Sequence, residues 1–348
     1  MTGTMRAAVL YGKEDVRLES VPIPAIGPGD LLVRVRVALT CGTDVKVFRR
    51  GYHARMIQPP ALFGHEVAGD VIAAGGQVTK FRAGERVVAA NSAPCDACFF
   101  CLRGQQNLCE DLLFNNGAYA EFIRVPARIV EKNTYPIPAG VEYRDAALVE
   151  PLACVLRGLE ESGVRAGDTV AVMGLGPIGL MLVRVAKFTF GARVIAIARR
   201  PEQIDRAMRL GADESVSMSQ PETIAAEVRR RTCGRGADVV IEAIGRPETW
   251  ELALELARKG GVVNFFGGCP AGAKVGLDSS LLHYSEIVCK ASFHHTPAYI
   301  RRALEMISRG QAGARHFVTT EEPLAALPRV LKEMANGANH RIKTAIVP

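Results

Sequence analysis

Residues 95 to 109 read CDACFFCLRGQQNLC and place thiols at Cys95, Cys98, Cys101 and Cys109. Two consecutive C-x-x-C steps followed by a longer gap are a metal spacing: each turn lets two thiolates face one ion at about 2.3 Å. Four thiolates complete a tetrahedral shell and leave no position for a substrate. The segment therefore predicts a structural zinc that folds a lobe over about residues 91–112, with Pro94, Gly104 and Asn107 suiting loops. An iron–sulfur cluster or a set of unrelated thiols are the alternatives. A disulfide framework fits less well. The nine cysteines are an odd number, and the opening MTGTMRAAVLYG has no basic-then-apolar leader, so a cytoplasmic, reducing setting is expected.

A second set of donors lies elsewhere. Cys41 follows LLVRVRVALT, where Leu31, Val33, Val35 and Val37 alternate with Leu32, Arg34 and Arg36, the period of a half-buried strand that would deliver Cys41 at its end. His65 and Glu66 follow a Pro59-Pro60 turn, and Glu150 stands in the apolar run AALVEPLACVLRGL, where a carboxylate is costly without a partner. Each residue alone is more often structural. Together they offer one thiolate, one imidazole and one or two carboxylates, which can give zinc three protein ligands and an open fourth position, the arrangement of a catalytic site. Whether Glu66 or Glu150 binds directly is open at this stage.

The elements that must carry a cofactor come next. Thr169 to Met173 reads as a buried strand, and Gly174-Leu175-Gly176-Pro177-Ile178-Gly179 then opens a helix running to about Phe190. This is G-x-G-x-x-G in its required context. Gly174 allows the tight turn, Gly176 lets the backbone approach a pyrophosphate, and Gly179 permits close helix–strand packing. The following strand, Arg193 to Ala198, ends without the acid that usually holds a ribose 2′-hydroxyl. Arg199 and Arg200 come instead, and Glu202 falls a turn too late to substitute. Two guanidiniums suit a 2′-phosphate, so NADP is favoured over NAD. Further strands at 237–245, in GGVVNFFGG and in SEIVCKASF, with a helix at about 247–258, extend a doubly wound parallel sheet of the Rossmann type.

The run Gly64-His65-Glu66-x-x-Gly69-x5-Gly75-x-x-Val78 resembles the signature of zinc-containing medium-chain alcohol and polyol dehydrogenases, and the four-cysteine lobe stands where that family carries one. The set Cys41, His65, Glu66 and Glu150 is similar to the sorbitol and threonine dehydrogenase branch. The resemblance implies an α/β protein: a GroES-like β-rich catalytic domain over 1–154 and 294–348, rejoined by helices near 297–309 and 323–336 and the strand-like RIKTAIVP, and a cofactor domain over 155–293. It implies an active site in the cleft between them, with zinc as the Lewis acid and hydride transfer to the nicotinamide. Thr43 matches the family's proton-relay hydroxyl, and Lys46 stands where relatives often continue the relay with histidine. His294-His295 replaces an Arg-Tyr pair typical of sorbitol dehydrogenases, so either histidine could contact substrate or the nicotinamide, or be structural, with His294 taken as the catalytic candidate. The loop Phe48–Arg55, with Arg49, Arg50, Arg55, Lys46 and His53, is either an anion-attracting rim or a solvated basic loop. His316 and His340 read as surface or packing residues.

The bulk composition narrows the classes. The net charge of +7 is spread along the chain and aromatics are 6%, unlike a nucleic-acid binder. No apolar run approaches the roughly 18 residues of a membrane span. The expected function is a hydride transfer between NAD(P) and a secondary alcohol, polyol or sugar-like substrate, in a homo-oligomer (dimer or tetramer). A threonine-dehydrogenase-like amino-alcohol enzyme is the alternative, and a nucleotide-binding protein without turnover is the second.

Overall fold

The structure, a computed structural model, describes residues 3–53, 55–337 and 341–348. The chain forms two compact units, Met1–Ala153 with His295–Pro348, and Cys154–His294. Each has its own core. His340 and Ala54 lie outside the described residues.

The first unit is built on a sheet whose centre is the strand Leu31–Leu39. It pairs antiparallel with Glu66–Ala74 along one side and with Phe122–Val125 and Lys343–Val347 on the other. The alternation read in the sequence holds in the middle of this strand: Val33 and Val35 are buried, Arg34 and Arg36 exposed. Its last residues are buried on both faces, because Val67, Ala68 and Ile346 flank them. The strand then ends at Leu39, and Cys41 caps the helix Gly42–Arg50. Phe48 and Val47 of that helix pack into the same core as Phe63, Tyr119 and Leu331. Burying each such side chain contributes about 1.5–3 kcal/mol.

The C-terminal strand Lys343–Val347 thus sits inside the first unit's sheet, between Leu31–Leu39 and the parallel strand Val318–Pro323. The helix expected over 323–336 is shorter, Leu327–Ala335. Pro323 still belongs to a strand, and Leu324–Ala326 form a single 3₁₀ turn, so the α-helix starts only where Pro328 can occupy its first turn.

The second unit is a six-stranded, wholly parallel sheet in the order Glu214–Ser217, Arg193–Ala198, Thr169–Met173, Ala237–Glu242, Ala257–Phe265, Val288–Ala291. The central strands are buried along nearly their whole length, the mark of a sheet covered on both faces. The helix after the glycine turn runs Pro177–Phe188, two residues shorter than the expected end at Phe190. The helix expected at 247–258 ends at Leu256, because the chain enters the strand Ala257–Phe265 there. The helices Pro201–Arg209 and Pro221–Arg231 complete the alternation.

Candidate functional site

Three of the four donors read from the sequence meet in the first unit. A thiol of Cys41, a ring nitrogen of His65 and a carboxylate oxygen of Glu66 lie within 4.8 Å of one another. The fold delivers them from two places: Cys41 from the helix cap, His65 and Glu66 from the start of the adjacent strand Glu66–Ala74. Gly64 makes the approach possible. Its φ is 91°, and a Cβ there would stand 2.6 Å from the Tyr119 ring.

Every member of this group is held by a neighbour. The Cys41 N–H donates to Asp44 Oδ2 at 2.9 Å, while the Thr43 N–H donates to Cys41 Sγ at 3.4 Å. Asp44 Oδ1 lies 3.1 Å from His65 Nδ1, and the Tyr119 hydroxyl donates to Asp44 Oδ2 at 2.5 Å. His65 Nδ1 is therefore committed to Asp44, which leaves Nε2 for a metal. Burial works against a charged His65 ring, but the Asp44 carboxylate outweighs it and raises His65 well above the usual imidazole range. Burial also opposes the Asp44 charge, yet His65, Tyr119 and the Cys41 amide keep that carboxyl below its usual value.

Lys343 is the residue the sequence reading missed. It is 1% exposed, and its Nζ donates to Glu66 Oε1 and Oε2 at 2.7 and 2.6 Å and to Thr40 O at 2.8 Å. Burial disfavours the ammonium, but Glu66 and Cys41 hold its pKa above the usual lysine range. The only sequence signal was a lysine heading a terminal strand, KTAIV, that holds no other charge.

Glu150 stands outside the 4.8 Å group. It lies at the start of the helix Val149–Glu161, 8% exposed, and its charge is felt by Glu66. Burial raises its pKa, with His65 and Lys343 pulling the other way. Its Oε1 accepts from Asn91 Nδ2 at 3.3 Å, and Asn91 Oδ1 is 2.9 Å from His295 Nε2. His295, 2% exposed, is thus engaged inside the first unit. His294 closes the second unit. Its φ is 66°, and its carbonyl accepts from the buried Arg157 guanidinium at 3.0 Å.

Thr43 is half-buried, and its hydroxyl makes no hydrogen bond among the described residues. Lys46 is exposed, with no hydrogen bond or ion pair among them. In the basic loop, Arg49, Arg50 and Arg55 are exposed, while His53 Nδ1 accepts from the N–H groups of Arg55 and Met56 at 3.2 Å each. His53 is there a loop brace.

Cys95, Cys98, Cys101 and Cys109 form a second group within 4.8 Å. Amides of Ala97 and Cys98 donate to Cys95 Sγ, and the Cys95 amide donates to Cys109 Sγ. Backbone N–H groups of Cys101 and Glu110 bring Cys98 down to about 6, whereas burial pushes Cys101 up to about 12. Lys132 closes the base of the lobe on the carbonyls of Pro94 and Cys95. Four thiols with amide donors aimed at sulfur fit a thiolate-bound metal.

In the second unit, Gly174 has φ 91°, and a Cβ on Gly179 would sit 1.8 Å from Gly174 O, so the helix packs where only glycine fits. A Cβ on Gly176 meets nothing within 4 Å. Gly176 caps the helix whose first turn holds Pro177 and Ile178, and its open face leaves room for a phosphate at the helix N-terminus. Ala198 is buried at the strand end; the side chains of Arg199 and Arg200 make no hydrogen bond or ion pair among the described residues.

Comparison with known proteins fits this layout. Residues 27–138 match the alcohol dehydrogenase GroES-like domain, and residues 177–309 match the zinc-binding dehydrogenase model. Over 99% of its length the chain is 31% identical to 98% of the erythritol/L-threitol dehydrogenase of Mycolicibacterium smegmatis. The L-threonine 3-dehydrogenase of Bacillus licheniformis is 36% identical, over 76% of each chain. A zinc-binding dehydrogenase from Sinorhizobium meliloti, solved bound to NADP, superposes with a TM-score of 0.89 at 32% identity, covering 99% of this chain and 100% of that one. The threonine enzyme matches only part of the length, whereas the polyol enzyme matches nearly all of it, and the threonine-type alternative is not favoured. No helix among the described residues is long and apolar enough to cross a membrane. The protein is an NAD(P)-dependent oxidoreductase, and the chain belongs to the zinc-dependent medium-chain alcohol and polyol dehydrogenases.

Proposed function

We propose that the enzyme interconverts a polyol or sugar-like secondary alcohol and its ketone with NADP, at a zinc held by Cys41, His65 and the carboxylates Glu66 and Glu150. A second, purely structural zinc would be held by Cys95, Cys98, Cys101 and Cys109. The observation that carries the reading is two of the donor groups: a closed set of four thiols, and a separate buried thiol–imidazole–carboxylate set that does not fill a tetrahedral shell.

When bound, zinc supplies the Lewis acidity that acidifies a substrate hydroxyl, and the nicotinamide takes up the hydride. The chain's own residues do the rest. Asp44 fixes the His65 tautomer, and Tyr119 with the Cys41 amide fixes Asp44. Lys343 balances the Glu66 charge. The Thr43 hydroxyl, with no internal partner among the described residues, would pass the proton on. Lys46 is exposed, which supports water as the next carrier rather than the lysine. His294, held in a left-handed conformation by Arg157, is the proposed substrate or nicotinamide contact.

Gly174, Gly176 and Gly179, with Pro177 and Ile178 in the first helical turn, would bind the pyrophosphate. Ala198, Arg199 and Arg200 would bind the ribose end. The unpaired guanidiniums and the NADP found in a structural neighbour support NADP over NAD. A cytoplasmic homo-oligomer, dimer or tetramer, is part of this reading. The strand Val288–Ala291 supports association: it is the sheet's outer edge, and Val288 and Tyr284 are exposed there.

The test is a metal count with a fluorescence titration of NADPH and NADH. Two zincs per chain and NADPH preference that disappears in R199A/R200A support the reading. Loss of two charge-assisted hydrogen bonds, about 1.5–3 kcal/mol each, should weaken NADPH by about a hundredfold or more. Equal binding of both cofactors refutes the arginine assignment. Faster turnover of threonine than of tetritols or hexitols refutes the substrate class.

A further inference from the structure

The carboxylate of Glu150 is reached by two residues that no part of the reaction has yet used. Asn91 lies between the strands Arg86–Ala89 and Ser92–Ala93, and His295 precedes the helix Pro297–Ser308. All three side chains are nearly fully buried. The direction of the bonds between them follows from the carboxylate. An ionised carboxylate only accepts, so the Asn91 group facing Glu150 Oε1 at 3.3 Å must be the NH₂. The amide oxygen then faces His295 Nε2 at 2.9 Å, so that nitrogen must carry the proton. One continuous run of donors, imidazole to amide to carboxylate, points at Glu150.

The platform under this run is itself fixed. The Asn91 carbonyl accepts from the Asn115 N–H at 2.8 Å, and the neighbouring Ser92 carbonyl accepts from Asn133 Nδ2 at 2.8 Å. On the other side the Tyr135 hydroxyl donates to Pro297 O at 3.2 Å, next to His295. A residue that orients another must be held this way. Glu66, by contrast, has both oxygens on Lys343. Glu150 lies outside the Cys41–His65–Glu66 group and accepts from Asn91, so its approach to the metal depends on what aims it.

We propose that Asn91 and His295 are positioning residues that orient the Glu150 carboxylate toward the Cys41–His65 pair and thereby set how tightly the catalytic metal is held. The proposal rests on Glu150 being a ligand of the site described above. Partners behind a metal ligand commonly change metal affinity 10- to 100-fold when removed.

The experiment compares zinc-loaded wild type with N91L, H295L and H295Q. Zinc per chain is measured after dialysis against graded dipicolinate, and the visible spectrum is recorded after cobalt exchange into the more labile site. The expected result is that N91L and H295L give up one zinc at about 10- to 100-fold lower chelator and keep the other. Their cobalt bands shift. H295Q keeps an N–H for Asn91 Oδ1, so it should stay within about threefold of wild type. Wild-type retention and spectra in N91L and H295L overturn the proposal, and so does H295Q behaving like H295L, which would make His295 a packing residue only. Should N91L fail to fold, the H295Q–H295L contrast decides alone. A wild type holding a single zinc overturns the two-zinc reading and this proposal with it, whereas two zincs with unaltered variants overturn only this proposal.

Discussion

Replacing Lys343 with methionine removes a charge while keeping most of the side-chain volume. The structure says what is left behind. Lys343 and Glu66 have side-chain exposures of 1% and 0%, and three acceptors, Thr40 O and both Glu66 oxygens, sit 2.6 to 2.8 Å from Nζ. K343M strands a buried carboxylate without its cation, which costs about 3–5 kcal/mol. The first unit holds about 200 residues, for which each kcal/mol lowers Tm by about 2–4 °C. Scanning calorimetry of the metal-free protein, in which no zinc competes for Glu66, should therefore show the first unit melting about 6–20 °C earlier. The double variant E66Q/K343M replaces the pair with neutral groups of similar shape and should recover at least about half of that loss, because the stranded charge is gone. A K343M shift under about 3 °C, or a double variant melting as low as the single one, would refute the view that Lys343 acts by neutralising Glu66.

The pairing of His65 with Asp44 sets a pH dependence. In the metal-free protein the raised His65 pKa keeps the ring protonated at neutral pH, so zinc uptake must displace that proton. Apparent zinc affinity should rise with pH up to the raised His65 value and fall on acidification, with proton release readable by calorimetry in buffers of different ionisation enthalpy. The stabilisation from the same pair in metal-free protein should be complete at about pH 5–6. It should be lost as pH rises through the raised His65 value, and lost again as pH falls through the lowered Asp44 value. G64A should cost about 2–4 kcal/mol, from left-handed strain plus displacement of the Tyr119 ring, and should empty the Cys41–His65 site while the four-thiol zinc stays. C109S, at a thiol with 0% exposure, should remove one zinc per chain and leave nicotinamide binding by the second unit unchanged, read by metal analysis and fluorescence titration.

Features with a local grammar were legible in the sequence. The glycine turn declares itself because strand, three glycines and helix are contiguous, and the thiol lobe because two C-x-x-C steps fall within 15 residues. Cys41 could be placed because it ends a readable strand, and His65 and Glu66 because they follow the Pro59-Pro60 turn. What stayed hidden were partners brought together by the sheet rather than by spacing. Lys343 is 277 residues from Glu66, and Asn91 is 204 residues from His295. A lone buried lysine or asparagine has no period and no motif. Only the register of Lys343–Val347 against Leu31–Leu39 shows that the lysine lands beside Glu66. The shift of the last helix to Leu327–Ala335 has the same origin: a six-residue strand pairing, not local propensity, claims Pro323.

The distance between Glu66 and Lys343 also sets a clock for biosynthesis. A ribosome adding about 5–20 residues per second needs roughly 15–55 s to travel the 277 residues from one to the other. Throughout that interval the nascent carboxylate has no cation to bury against, and the central strand Leu31–Leu39 lacks one of its neighbours. The whole of Cys154–His294 is made meanwhile and carries its own core. The second unit can therefore mature while its predecessor is still waiting, and the Cys41–His65–Glu66 group gains its buried lysine last although all three residues lie in the first fifth of the chain.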